Sequence, residues 1–325
     1  MGNKLSRIGA LGLASALMLA TTATYAKDIT LAFIATNQQN PAEVSQIKGF
    51  TAAAEKLGAK VMILDARGSA EKMSNAVDDL IAQQVDGIAA IILDSVVAQS
   101  WVDKANDAKI PFVADAVQVG DPNKVPFKQV YPGLSALVGQ DYIVSGTRMG
   151  EAAAKMLPTD HKVKIGIVEG QPGYALVKQL NQGFKEALDK AGVKYDIVFS
   201  QPTDWTPAKG EQVCANGLIA NPDIDLIFSH AEDMAIGCAK AIADGNSKAK
   251  LVTAAGGSKL GDPLIKSGAI ALSMCEAWSH TGELTAQALF EAASNPSTAK
   301  GRLVEYKPTL INKDNLESEC YPPQW

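Results

Sequence analysis

The sequence predicts an α/β protein made of two similarly built halves, each a parallel sheet covered by helices on both faces. Three observations predict it. Short apolar runs alternate with stretches of helical period, the connections between them are a few residues long, and one long interruption divides the alternation into two series. The first series opens with a strand over Ile29 to Ile34 and a polar turn carrying Asn37, Gln38, Gln39, Asn40 and Pro41. A helix follows, with Val44, Ile47, Phe50, Ala54 and Leu57 recurring every three or four residues. Strand 61–65 then leads through Gly68-Ser69 to a helix over 71–84 with Met73, Val77, Leu80 and Ile81 on one face. Strand 88–93, a helix around 97–108 and strand 110–114, ending at Asp115, complete the series.

From Ala116 to Leu137 the pattern lapses, broken by Gly120, Pro122, Pro126, Pro132 and Gly133, and here the chain is expected to cross into its second half. Strands over 162–168, 195–199, 224–228, 251–255 and 269–274 then alternate with helices over 142–157, 176–191 and 233–243. A further helix is capped by Thr206 with Pro207 at its first position. Helix 279–293 and a strand over 304–311 close the chain. The halves share a pattern and no residue repeat. In open α/β sheets, ligands settle beyond the carboxyl ends of the strands, so the polar turn at 37–41 is the first place to expect binding side chains. It offers amides, no nucleophile, and no glycines to wrap a phosphate.

The 325 residues, 47% hydrophobic and 20% charged, have ordinary globular composition and suffice for two domains. Lys4 and Arg7, the short apolar run from Ile8 to Ala20 and Thr24-Tyr25-Ala26 read as a signal peptide over 1–26, cleaved after Ala26. That run falls short of the roughly 20 residues a membrane span needs. Without Lys4 and Arg7 the chain keeps 28 Lys and Arg against 35 Asp and Glu, a net charge of −7 that gives nucleic acid nothing to hold. Cys214, Cys238, Cys275 and Cys320 suggest disulfides in an exported protein. Cys214 with Cys238 is favoured, because they lie on the helices flanking one strand, which leaves Cys275 with Cys320; a buried pair of free thiols is the alternative. His161, His230 and His280 have no metal-ligand spacing, and neither a C-x-x-C pair nor a G-x-S-x-G elbow occurs. The reading is a binding protein, with no catalysis, cofactor or metal.

Several ordered motifs are informative beyond their composition. These are the Asn40-Pro41 turn, the Ile110-Pro111 strand, QGFKEAL at 182–188, QPTDW at 201–205 and FSHAEDMAIGCAKAI at 228–242. Together with the order of elements they resemble the periplasmic sugar-binding proteins of ABC transporters, the ribose-binding type, over nearly the whole chain after residue 26. The resemblance implies the type I periplasmic binding protein fold, two Rossmann-like lobes with parallel sheets joined by a three-strand hinge. The lobes would comprise residues 27–137 plus 277–305 and residues 138–276 plus 306–325. A monosaccharide would lie between them, held by hydrogen bonds and aromatic stacking. No DNA-binding helix-turn-helix precedes Ile29, which separates the chain from repressors that share the fold.

Carried over by position, the resemblance points to Asn40 before the proline, Asp115 at a strand end and Trp205 in the place of a stacking aromatic. Glu276 replaces a hinge-side glutamine, and Trp278 stands where proline is common. An Asn-Asp pair expected after Phe228 reads Ala231-Glu232, leaving His230 and Glu232 as the nearest polar groups; Asn37 joins from the first turn. Other positions depart from the family: Ala42 and Glu43 replace two aromatics, Ala116 and Leu180 two arginines, and Gly256 an aspartate. Trp101 is assigned to packing or surface, and Glu43 to the solvent face of its helix. The expected ligand is a sugar or polyol. Glu43, Asp115, Glu232 and Glu276, with no arginine near, make an aminated or cationic small molecule the alternative. The implied partner is an ABC permease in the inner membrane, met by a monomer in the periplasm. A sensor presenting its ligand to a membrane receptor is the second possibility.

Overall fold

The computed structural model describes residues 1, 29–320 and 322–325. The signal peptide and its cleavage site fall outside the described residues. The first series forms β1 (Thr30–Ala35), α1 (Pro41–Lys56), β2 (Lys60–Asp65), α2 (Ala70–Ala82), β3 (Gly87–Ile91), α3 (Ala98–Asp107) and β4 (Phe112–Asp115). Next come β5 (Ala136–Gly139), α4 (Tyr142–Ala154), β6 (Val163–Glu169), α5 (Ala175–Lys190), β7 (Tyr195–Pro202), α6 (Pro207–Ala220), β8 (Leu226–Ser229), α7 (Glu232–Asp244) and β9 (Lys250–Thr253). The chain ends with α8 (Asp262–Ser267), β10 (Ser273–Cys275), α9 (Trp278–Ser294), β11 (Arg302–Glu305), β12 (Thr309–Ile311) and α10 (Leu316–Glu319).

Two parallel sheets organise these elements, one of six strands in the order β11-β5-β4-β3-β1-β2 and one of four in the order β7-β6-β8-β9. Their inner strands are buried on both faces, as continuous apolar runs such as Leu31 to Ala35 require, while β2, β7 and β11 at the edges are partly exposed. β10 and β12 form a separate antiparallel pair. The expected strand over 304–311 is in fact two, because β11 joins the first sheet while β12 pairs with β10, and Tyr306-Lys307-Pro308 carries the chain between them. Of the strand expected over 269–274, only the end is regular. Leu272 makes a single bridge to Val252 before β10 begins. β5, hidden in the stretch that lacks pattern, is a four-residue strand paired with both β4 and β11.

The late helix α9 returns to the first sheet and packs against α1 through two glycines. A Cβ on Gly49 would stand 1.9 Å from the Ser279 carbonyl oxygen, and one on Gly282 would stand 2.0 Å from that of Gln46. The backbones therefore approach more closely than side chains would permit, and this fixes Trp278, the first residue of α9, beside α1. α4 and α5 meet in the same way at Gly146 and Gly183. Trp101 is fully buried in the core of the first sheet, which settles its role as packing.

Candidate functional site

The carboxyl ends of β1, β4, β6 and β8 face one cleft between the two sheets. Asn40, Ala42, Glu43, Gln46, Ile91 and Ala116 form one wall, and Tyr174, Leu180, Trp205, His230, Ala231 and Asp233 the other. Tyr142, Trp278 and Trp325 also line it. A broader hollow lies at the amino ends of β6 and β8, among Lys162, Lys164 and Asp223. That is the end of an open sheet where ligands do not settle. Away from the cleft lining the Gln179 side-chain amide donates to Gln118 Oε1 at 2.6 Å, so the two halves also touch through buried groups.

Local backbone sets the first wall. Asn40 caps α1, its Oδ1 accepting from the Ala42 N–H at 2.9 Å, which leaves its NH₂ group for the cleft. Glu43 points inward, in contrast to the solvent face expected for it. It is 7% exposed and accepts from the backbone N–H groups of Thr36 at 2.8 Å and Asn37 at 3.0 Å, and from the Thr36 hydroxyl. Burial still pushes its carboxyl up to about 7. Ala116 has φ 62°, a left-handed conformation that costs a non-glycine residue about 1–2 kcal/mol.

On the second wall Trp205 is likewise left-handed, with φ 67°. Its ring meets Tyr174 edge-on at 5.6 Å and lies against the backbone of Gly170, where a Cβ would stand 1.8 Å from the ring. Strained non-glycine residues thus occur on both walls, a pattern that marks binding sites more often than scaffolds. His230 is 2% exposed, and its Nδ1 accepts from the Gly170 N–H at 3.3 Å. The proton therefore sits on Nε2, which donates to Asn181 Oδ1 at 3.0 Å, and Asn181 donates in turn to Glu169 at 2.8 Å. Burial, with the charge of Lys185 second, pushes the imidazole down to about 3, so it is neutral at physiological pH.

Four expected site residues stand apart from the lining. Asn37 closes its own turn, its Oδ1 accepting from Gln39 N–H at 3.0 Å. Asp115 lies one layer behind the wall, fully buried, and holds Gln46 through Oδ1 at 3.2 Å, while its Oδ2 has no partner among the described residues. Glu232 turns to the loop after β9 and accepts from the N–H groups of Gly257 at 3.2 Å and Ser258 at 2.9 Å. Glu276 belongs to the connections between the sheets. It accepts from Gln140, which follows β5, and from the Tyr306 hydroxyl, which follows β11, at 3.3 Å. Glu276 itself follows β10, so one buried carboxyl ties all three crossings. Asn40, Trp205, His230 and Trp278 do line the cleft.

Sequence reasoning missed Gln46, Tyr142, Tyr174, Asp233 and Trp325. Gln46 lies one helical turn after Ala42, so the period of α1 carried a signal for it. Trp325 had no local signal. The structure bonds Cys275 to Cys320 and Cys214 to Cys238, and the first of these holds the chain end near the cleft. There Gln324 N–H donates to Gly257 O at 2.8 Å, and the Trp325 indole donates to Gly256 O at 3.3 Å.

Burial pushes Asp115 and Glu276 up to about 8, and Glu43 and Glu232 to about 7. In the unfolded chain these acids ionise near pH 4, so between pH 5 and 8 the folded state binds more protons and stability falls as pH rises. The ligand-free protein is expected to melt at a higher temperature at pH 5 than at pH 8 in a calorimetric series. A melting temperature that climbs over that interval would contradict these assignments.

A family model described as periplasmic binding protein domain matches residues 31–297. The chain is 31% identical over 216 residues to the ribose import binding protein RbsB of Bacillus subtilis, covering 66% of each chain. It is 28% identical over 267 residues to the same-named protein of Salmonella typhimurium, covering 81% of this chain and 85% of that one. In fold it is similar to a Caulobacter myo-inositol binding protein solved with myo-inositol, with TM-score 0.79 and 19% identity over 89% of this chain and 94% of the other. The match over most of the chain and the paired parallel sheets place this protein in the periplasmic binding protein family, whose sugar- and polyol-binding members are extracytoplasmic, non-enzymatic components of ABC transporters.

Proposed function

We propose that the chain captures a sugar or polyol in the cleft and delivers it to the permease of an ABC importer in the inner membrane. The observation that carries this reading is the make-up of the cleft. Aromatic rings from Tyr142, Tyr174, Trp205, Trp278 and Trp325 surround a few amides and carboxyls, at the strand ends where α/β sheets hold ligands. Rings offer a face to the apolar side of a sugar, while Asn40 and Gln46 donate to and accept from its hydroxyls. Residues 27–137 with 277–305, and 138–276 with 306–325, would move as two lobes about the crossings tied by Glu276. Closure on the solute would create the surface that a permease distinguishes from the empty form. A thermal-shift panel of pentoses, hexoses, furanose sugars and polyols tests the reading. A solute at 100 times its Kd adds about 2.7 kcal/mol, a rise in Tm of about 5 °C or more. A panel in which nothing shifts the folded protein would overturn it.

A further inference from the structure

Asp233 is the second residue of α7 and lines the cleft, yet it is only 6% exposed. Its carboxyl accepts no hydrogen bond and meets no cation among the described residues, and burial alone pushes it up to about 6. It differs in this from its neighbours. Glu43, Glu232, Glu276 and Asp115 are all engaged by protein donors. No lysine or arginine is among the described residues lining the cleft, and the neutral His230 has both nitrogens engaged. The dipole of α7 offsets the charge of Asp233 only in part, because no backbone N–H of the first turn bonds its carboxyl.

We propose that the solute carries a protonated amine, as an amino sugar or amino polyol does, and that its ammonium pairs with Asp233. This rests on the reading of the cleft as the solute site and narrows its chemistry. A neutral hydroxyl could donate to Asp233 but would leave the carboxylate charge buried without compensation, whereas an ammonium supplies both donor and charge. The electron-rich faces of Tyr174, Trp205, Trp278 and Trp325 line the same space and attract a cation. The acidic balance of the chain, −5 overall, favours the approach of one.

Calorimetric titration of the ligand-stripped protein at pH 7 would compare glucosamine, galactosamine and mannosamine with their parent hexoses and their N-acetyl derivatives. At least one free amine is expected to bind about 30-fold or more tightly than both its counterparts. Asp233→Asn, shown to be folded by circular dichroism, is expected to remove most of that ratio. Parent hexoses binding as tightly as the amines, or an amine preference unchanged in Asp233→Asn, would overturn the inference and leave the sugar reading standing. Failure of every amine and every neutral sugar or polyol to bind would overturn both.

Discussion

Trp205→Ala is expected to weaken solute binding by about 30- to 300-fold while lowering Tm by only a few degrees. A large aromatic at the centre of a binding site typically contributes 2 kcal/mol or more when truncated, which sets the lower bound. Trp205 is only half-buried and sits in the turn ahead of α6, so its loss leaves both sheets intact. Its left-handed backbone, the edge contact with Tyr174 and the bare backbone of Gly170 together fix the ring against one wall. Gly170→Ala tests that arrangement independently. The added methyl would meet three ring atoms between 1.8 and 2.3 Å away, so the ring must leave its seat and binding should weaken nearly as much as in Trp205→Ala. Once the ring is gone, the methyl loses all three of its nearest contacts. The double variant should therefore bind like Trp205→Ala alone, and titration calorimetry on the four proteins would read this directly. Losses that simply add would mean that Gly170 serves something other than the indole.

The sheets were legible in the chain because strands buried on both faces must be continuously apolar, as Leu31 to Ala35 and Ile88 to Leu93 are. Where that signal was short, the reading failed. β5 has only four residues at the end of a proline-broken stretch, and β11 and β12 read as one strand over 304–311 unless the turn at Tyr306 to Pro308 is seen to change sheets. The site divides along the same line. Residue types near strand ends could be listed, but depth could not. Asp115, Glu232 and Glu276 all lie close to such ends, and each carboxyl sits behind the cleft wall, where a protein donor offsets its desolvation. Asp233 is adjacent to Glu232 in sequence and reaches the cleft because successive residues on a helix point about 100° apart. Trp325 depends on a covalent link between cysteines 45 residues apart, which no periodicity encodes.

Replacing both Cys275 and Cys320 with serine is expected to lower Tm by about 10 °C and also to weaken solute binding. The bond spans 45 residues, and it encloses the whole excursion of the chain through α9 and β11 to the first sheet and back to β12. Closing a loop of that length restricts the unfolded chain by about 4 kcal/mol, which at 2–4 °C per kcal/mol gives the stated shift. The effect on binding has a different origin. The sulfurs lie against Gly257, where a Cβ would stand 2.5 Å from Cys320 Sγ, and it is Gly257 that accepts the Gln324 N–H one residue before Trp325. Without the bond, the chain end keeps only its hydrogen bonds to residues 256–259, and the indole spends less time in the cleft. Cys214 and Cys238 provide the control, since they join α6 to α7 within the core of the second sheet and line no part of the cleft. Serines at those positions should cost about 3 kcal/mol of stability, from a 24-residue loop, and leave the Kd of the folded protein unchanged. Scanning calorimetry and titration of the two variants separate these roles. Equal Kd values in both would show that the chain end takes no part in holding the solute, and a Cys275/Cys320 variant that melts with the parent would show that the bond does not constrain the unfolded chain.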